Sequence, residues 1–218
     1  MSRYLVNFGD SWAHGTRHVR ARRGLNTYAS HLSNLTNRQL IDMSVSSTSN
    51  SHMVLQFQQF IKQYYQPDND YLAVFFITAQ ARQLRFNDQG VPLEISPSAN
   101  SSFIKDPVAT TYYRDIYTDH LGEFNLNIVL IALQSMSNHY HIDDRYLLGW
   151  QHPNLWPEID LNRFYFQSQS TAMELLGGTD IIKCGHDGNL NFIPGDGHPS
   201  LDGHGHIAQA LYQWIQKN

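Results

Sequence analysis

The chain has 218 residues, of which 41% are hydrophobic and 16% are charged, a composition typical of a folded domain and unlike that of a disordered chain. Lys and Arg number 15 against 19 Asp and Glu, a net charge of −4, so no basic field attracts nucleic acid or an anionic membrane. The single cysteine, Cys184, excludes an internal disulfide, and no apolar run reaches the roughly 18 residues of a membrane span. We therefore expect one domain over residues 1–218 that binds neither nucleic acid nor membrane.

The first residues run directly into an apolar strand pattern. They lack the long apolar segment and the small-residue cleavage site of a secretion signal. The sequence thus predicts a cytoplasmic protein, or one carried in a virus particle or released by lysis. Its oligomeric state is not predicted.

Strand and helix patterns alternate along the chain. The predicted strands are 4–8, 39–43, 71–77 and 140–148, and helical spacing is found within 26–37, 53–64, 113–117, 126–136 and 207–215. Residues 128–133 taken alone would also fit a strand, and residues 87–106, rich in Ser, Pro, Asn and Gly, predict a long surface loop. The alternation predicts an α/β fold with a mostly parallel sheet, in which active sites gather at the carboxyl ends of the strands.

Two polar residues stand out at such positions. Ser11 follows the first predicted strand, and His198 lies near the other end of the chain, in the segment Gly195-Asp196-Gly197-His198-Pro199-Ser200. A serine hydroxyl becomes nucleophilic when an imidazole takes its proton and a carboxylate orients that imidazole. Ser11, His198 and Asp196 supply this set, although a serine after Gly-Asp is by itself typical of an ordinary turn.

The segments Phe8-Gly9-Asp10-Ser11 and 196–204 resemble the first and last sequence blocks of the SGNH, or GDSL-type, hydrolases, and they occur in the same order. The resemblance implies a three-layer α/β/α sandwich with a flavodoxin-like sheet, and ester hydrolysis without a cofactor. It also implies that Ser11 is the nucleophile and one oxyanion-hole donor, with Asp196 and His198 as the acid and the base.

The last block departs from the family pattern at its acid. The family commonly has Asp three residues before the histidine, where this chain has Gly195, and Asp196 stands two residues before His198. Asp202 is the alternative residue to orient the histidine.

The second and third blocks also differ from the family. The second block supplies an oxyanion N–H from a glycine, whereas the matching loop 44–50 has none, and Ser47 takes that position. A serine N–H can serve equally if the loop requires no positive φ there. The competing interpretation is a serine-rich helix N-cap.

In the third block the family has an asparagine whose side chain stabilises the oxyanion. Thr78 stands in its place here, and Thr78 or Gln80 is the candidate substitute donor. Arg82 is a candidate to bind an anionic or sugar group of the substrate, with Asp10 as a second candidate contact. The alternative for Arg82 is a structural ion pair.

These residues predict a serine esterase for small acyl esters, with a small-molecule or glycan ester as substrate. Aromatic residues that could stack on sugars suggest a carbohydrate O-acetylesterase: Tyr112, Tyr113, Trp150 and Trp156. The alternative is a catalytically weak or inactive glycan- or protein-binding module on the same scaffold. The atypical second and third blocks are similar to those of phage-encoded members, which favours a virion-associated role.

Other polar clusters have simpler interpretations. The histidines at 139 and 141, and at 198, 204 and 206, lack the helical spacing and the nearby carboxylate of a metal site, so no metal is predicted. His204 and His206 are expected to cap the last helix or to face solvent. The basic run 17–23 is interpreted as a solvated loop, with phosphate or acidic-glycan binding as the alternative.

Overall fold

A computed structural model describes residues 1–15, 27–97, 107–149, 152–165, 171–178, 188–193 and 197–217. The predictions for Asp196, for Trp150 and for the basic run 17–23 lie outside the described residues.

Within the described residues, four parallel strands form the central sheet. The elements in chain order are β1 (Arg3–Phe8), α1 (Ser11–His14), α2 (Tyr28–Thr36), β2 (Gln39–Asp42), α3 (Asn50–Gln63), β3 (Asp70–Ile77), β4 (Gln83–Phe86), β5 (Pro92–Ile95), α4 (Pro107–Asp115), α5 (Asp119–Tyr140), β6 (Asp143–Leu148), a 3₁₀ turn (Leu161–Arg163), α6 (Ala172–Leu175) and α7 (Leu201–Ile215). The sheet order is β2-β1-β3-β6 with every pair parallel. This is the flavodoxin-like order of a doubly wound sheet, as predicted.

Helices cover both faces of the sheet. Neighbouring residues of a strand point to opposite faces, and in β3 both sets are buried. Phe76 packs in a core that contains side chains of α2 and α7, whereas Phe75 packs in a second core that contains side chains of α3 and α5. The predicted three-layer α/β/α sandwich is therefore confirmed.

The ambiguous run 128–133 lies inside α5. Val129, Leu130 and Leu133 are buried at helical spacing, which confirms the helix, and α5 continues to Tyr140, a residue that the sequence assigned to the next strand. Although α5 has 22 residues, neither it nor any other helix in the described ranges has the length and apolarity needed to cross a membrane.

Part of the predicted surface loop 87–106 is a β-hairpin. Strands β4 and β5 pair antiparallel, and Asn87 Oδ1 closes the turn by accepting the N–H groups of Gln89 and Val91 at 3.0 and 2.9 Å. The turn needs a positive φ at Gly90, where it is 73°. The turn residues between short apolar segments were a usable hairpin signal, and residues 98–106 lie outside the described residues.

Candidate active site

A tight turn at the end of β1 positions Ser11. Gly9 makes the turn with φ of 143°, and a Cβ there would lie 2.8 Å from the Cβ atoms of both Ala13 and Phe76. Only glycine fits this contact without movement of its neighbours. The turn therefore packs tightly on α1 and β3, and Ser11 begins α1 at the carboxyl end of the sheet.

A short pairing of two segments positions His198. The N–H of Ile193 donates to the His198 carbonyl at 2.8 Å, and the N–H of Ser200 donates to the Asn191 carbonyl at 2.8 Å. A Cβ on Gly203 would lie 2.2 Å from that same Asn191 oxygen, so a glycine at this place in α7 is required for the close approach. These contacts fix the backbone on both sides of the imidazole.

The structure brings Ser11 and His198 together. The His198 Nε2 lies 2.9 Å from the Ser11 Oγ, although 187 residues separate them in sequence. This distance suits proton transfer from the hydroxyl to the ring when Nε2 is the unprotonated nitrogen. The indole of Trp12 packs beside the imidazole, with the ring centroids 6.5 Å apart.

Only one of the two candidate acids lies within the described residues. Asp196 lies outside the described residues. Asp202 is exposed in the first turn of α7, and within the described part of the chain no hydrogen bond joins it to His198.

Asp10 is completely buried beside Ser11. Its carboxylate accepts hydrogen bonds from the Trp12 N–H at 3.0 Å, the Thr78 hydroxyl at 2.7 Å and the Arg82 Nη1 at 2.6 Å. It therefore caps α1 and links the ends of β1 and β3. The carboxylate exposes no surface for a ligand, so this geometry does not fit the predicted substrate contact.

Thr78 makes its polar contacts inside the protein. Its hydroxyl donates to Asp10, its N–H donates to Asn50 Oδ1 at 2.8 Å, and its carbonyl accepts from Asn50 Nδ2 at 3.0 Å. Because the Thr78 hydroxyl donates its proton to Asp10, this geometry does not fit the oxyanion role that the sequence suggested. Asn50 was missed by the sequence analysis, although a buried amide directly after a loop of the site is a recognisable signal.

Gln80 and Arg82 also differ from the expected substrate contacts. Gln80 lies beside Tyr117, and burial is the main cause that raises the pKa of Tyr117 to about 12. Gln80 therefore lies toward the α4–α5 side, where its Cγ is 3.2 Å from the position of a Cβ on Gly122. Arg82 forms an ion pair with Asp10, which is the alternative that the sequence left open.

The loop that carries Ser47 packs against the turn before Ser11. The Val45 N–H donates to the Gly9 carbonyl at 3.0 Å, and the Thr48 hydroxyl approaches the same oxygen at 3.3 Å. Ser47 itself is exposed and has φ of 67°. The condition set by the sequence analysis is thus not met: the loop requires positive φ, which costs a non-glycine residue roughly 1–2 kcal/mol.

His204 is buried rather than exposed. Its Nδ1 accepts the Tyr28 N–H at 3.1 Å, and the two rings stack with centroids 6.4 Å apart. Burial, followed by the charges of His31 and His198, lowers the pKa of His204 to about 3. The expectation of a capping or solvent-facing residue is wrong for His204, while His206 is exposed.

A buried polar network lies behind the site. The Tyr28 hydroxyl donates to Asn7 Oδ1 at 2.6 Å, and Asn7 Nδ2 donates to Asp42 Oδ1 at 2.9 Å. Asp42 in turn accepts the hydroxyl and the N–H of Ser44, at the start of the loop that carries Ser47. Sequence analysis missed this network, for which an asparagine inside an apolar strand was the available signal.

The sequence predicts no metal site at its groups of histidines. Within the described ranges, no three His, Cys, Asp or Glu side chains gather where they could hold a metal ion.

The fold is similar to that of known hydrolases. No protein-family model and no curated protein matches the sequence. A solved structure assigned to the lipolytic G-D-S-L family, from Desulfitobacterium hafniense DCB-2, has a TM-score of 0.51 at 10% identity and covers 98% of this chain and 99% of its own.

Two carbohydrate esterases have comparable similarity. The acetyl xylan esterase Est2A from the rumen bacterium Butyrivibrio proteoclasticus has a TM-score of 0.51 at 11% identity, over 99% of this chain and 64% of its own. A carbohydrate esterase whose active site displays divergent catalytic and non-catalytic binding functions has a TM-score of 0.51 at 10% identity, over 99% of this chain and 69% of its own. Similarity at this level of identity concerns the fold alone, and the fold of this chain matches that of the SGNH (GDSL-type) hydrolases.

Proposed function

We propose that this protein hydrolyses carboxylic esters, with Ser11 as the nucleophile and His198 as the general base. The observation that carries the proposal is the 2.9 Å distance between His198 Nε2 and Ser11 Oγ. Both side chains lie at the carboxyl edge of the parallel sheet, where α/β proteins build their active sites.

The proposed reaction begins as Ser11 Oγ attacks the ester carbonyl and its proton passes to His198 Nε2. The imidazolium then protonates the departing alcohol, and water releases the acid from the acyl-enzyme by the same route in reverse. Asp196 is the proposed partner that orients the imidazole.

Backbone N–H groups are the proposed oxyanion donors. Ser11 is the first residue of α1, a position whose N–H has no partner within the helix. The N–H of Ser47 is the second proposed donor, because its loop packs on Gly9 through the Val45 N–H. The positive φ of Ser47 strains this residue but leaves its N–H able to donate. Since the Thr78 hydroxyl donates to Asp10, the proposed oxyanion hole rests on backbone donors.

The proposed substrates are small acyl esters, in particular O-acetyl groups on carbohydrates. Three partly buried tyrosines form a cluster with ring centroids 5.1 to 6.1 Å apart: Tyr112, Tyr113 and Tyr117. The Tyr113 hydroxyl donates to the Ala81 carbonyl at 2.5 Å, one residue from Arg82, so the cluster borders the loop that contacts Asp10. Aromatic rings offer apolar faces for sugar rings, and two proteins of similar fold are carbohydrate esterases.

The first test is hydrolysis of p-nitrophenyl acetate and butyrate by wild type, Ser11→Ala and His198→Ala. Residues that act as one unit each remove nearly the whole enzymatic rate, up to about 10⁶-fold in an efficient site. The matched controls are Ser46→Ala and His206→Ala, exposed residues of the same types, which should retain the wild-type rate. Turnover that persists in Ser11→Ala would contradict the proposal.

A binding module on the same scaffold is the second candidate. It is favoured by the Thr78 hydroxyl, which points to Asp10 at 2.7 Å rather than serving as an oxyanion donor. A fluorophosphonate separates the two, because an enzyme is labelled at Ser11 and a binding module is not.

A panel of acetylated glycans then tests the substrate class. Release of acetate supports carbohydrate O-acetyl esters as the substrates, whereas cleavage of short acyl esters alone counts against them.

A further inference from the structure

The guanidinium of Arg82 lies where three loops at the carboxyl edge of the sheet meet. Its Nη1 is 2.6 Å from Asp10 Oδ2 and 3.5 Å from the Thr48 carbonyl oxygen. The same Asp10 oxygen accepts the Thr78 hydroxyl. Asp10 directly precedes Ser11 and Thr48 directly follows Ser47, so Arg82 contacts the neighbours of both proposed oxyanion donors.

Arg82 also supplies the positive charge that the buried Asp10 carboxylate needs. The Asp10 side chain is 0% exposed and the Arg82 side chain 22%, so the pair is largely removed from water. A buried carboxylate without a cation is strongly unfavourable. An uncompensated negative charge on the residue next to Ser11 would also oppose the negative charge that develops in the transition state.

We propose that Arg82 is a positioning residue of the ester hydrolase: it neutralises Asp10 and holds the two backbone donors in place, and it does not contact the substrate. This role rests on the proposed function. It explains how a site without the family's asparagine keeps an ordered oxyanion hole, because the donors are backbone groups whose loops are joined through one ion pair. Loss of a positioning arginine should lower kcat, whereas loss of a substrate-binding arginine should raise KM.

The experiment measures kcat and KM for p-nitrophenyl acetate, a neutral ester, and for a p-nitrophenyl ester with an anionic acyl group. The variants are Arg82→Gln, Arg82→Lys, Asp10→Asn and the double variant Asp10→Asn/Arg82→Gln. Rates are normalised to the sites titrated by a fluorophosphonate, so that loss of folded protein does not count as loss of turnover. Arg114→Gln is the matched control, because Arg114 pairs with Asp115 at the same 2.6 Å but the two side chains are 67% and 45% exposed.

We expect Arg82→Gln to lower kcat per site by about 10²-fold, the size of the loss of one oxyanion donor, with KM changed less than about threefold. The double variant should recover at least about tenfold of that loss, because it no longer buries an uncompensated charge. Arg82→Lys keeps the charge and should retain more kcat than Arg82→Gln. If Arg82→Gln does not fold, Arg82→Lys is compared with wild type, and its kcat should fall while its KM changes less than about threefold. Arg114→Gln should equal wild type.

Three results would overturn the role of Arg82. The first is an unchanged kcat per titrated site in Arg82→Gln, and the second is a double variant whose kcat is as low as that of Arg82→Gln. The third is a KM of Arg82→Gln that rises for an anionic ester alone, which would show that Arg82 contacts the substrate. A wild type that neither turns over esters nor is labelled would instead contradict the esterase itself, and the role of Arg82 with it. An active wild type in which Arg82→Gln matches Arg114→Gln contradicts only the role of Arg82.

Discussion

His204 shows at the scale of one residue how burial changes the chemistry of a side chain. Its imidazole accepts the Tyr28 N–H and stacks on the Tyr28 ring, and so it ties the start of α2 to α7. A charged imidazole could not accept this hydrogen bond at Nδ1, since both nitrogens would then carry protons. The buried contact therefore needs the neutral ring.

This requirement predicts how stability depends on pH. Burial lowers the pKa of His204 from 6.5 to about 3. Between these two pH values His204 is therefore protonated in the unfolded chain and neutral in the folded chain. The free energy of unfolding should fall as the pH drops from 6.5 toward 3, by at most about 1.4 kcal/mol per pH unit from this residue. Urea unfolding at several pH values measures the slope.

His204→Asn is the informative variant for this prediction, because its side-chain oxygen can still accept a hydrogen bond and does not titrate. Its pH slope should be shallower than that of wild type, while the slope of His206→Asn, an exposed histidine of the same helix, should not change. Equal slopes in all three proteins would show that His204 is not the source.

At the scale of elements, the β4–β5 hairpin caps a helix from a distance. Ser49 is the N-cap of α3, but its side chain makes no capping hydrogen bond. Glu94 of β5 accepts the Ser49 N–H at 3.1 Å and lies 2.7 Å from the His52 ring. The Glu94 carboxylate thus takes the place of the glutamate that a capping box has in the helix itself, and it suits the positive end of the helix dipole.

Removal of this carboxylate should therefore destabilise the protein. Glu94→Ala should lower the free energy of unfolding by about 1 kcal/mol, as for the loss of a helix cap, and Glu94→Gln should cost less because it keeps an acceptor. Urea unfolding measures both, with Asp88→Ala at the exposed hairpin turn as the control, expected within about 0.5 kcal/mol of wild type. A Glu94→Ala protein as stable as Asp88→Ala would exclude the capping role.

At the scale of the whole molecule, the site depends on contacts between the two ends of the chain. Ser11 follows β1, and His198 precedes α7, which packs on α2 over one face of the sheet. The Ser11–His198 pair can therefore form only when that face of the core has formed. We expect the chain to behave as one cooperative unit.

Cooperativity can be tested on α7. Ile207→Ala removes a fully buried side chain and should lower the free energy of unfolding by about 2–5 kcal/mol. Ile128→Ala on α5, where the side chain is 46% exposed, should lower it much less. In each protein, the urea midpoints of ester hydrolysis and of far-UV circular dichroism should coincide. Activity lost well before the helical signal would show that the His198 end of the chain unfolds separately.

The sequence by itself determined the layers and the order of the main elements. The apolar run of β3 and the helical spacing in α5 depend only on residues close in sequence, so they could be predicted from short windows. Ser11 and His198 could be singled out because each belongs to a short motif next to a predicted element. The hairpin of β4 and β5 was missed because its turn residues, although a usable hairpin signal, were interpreted as part of one long surface loop.

Only the tertiary structure decided which polar groups are partners. The contact of Arg82 with Asp10, the direction of the Thr78 hydroxyl and the burial of His204 each involve segments far apart in the chain. Composition and spacing do not show which distant backbone or carboxylate a side chain will face. Hydrogen bonds and ion pairs require atoms within a few ångströms of each other, and this proximity arises when the strands and helices pack.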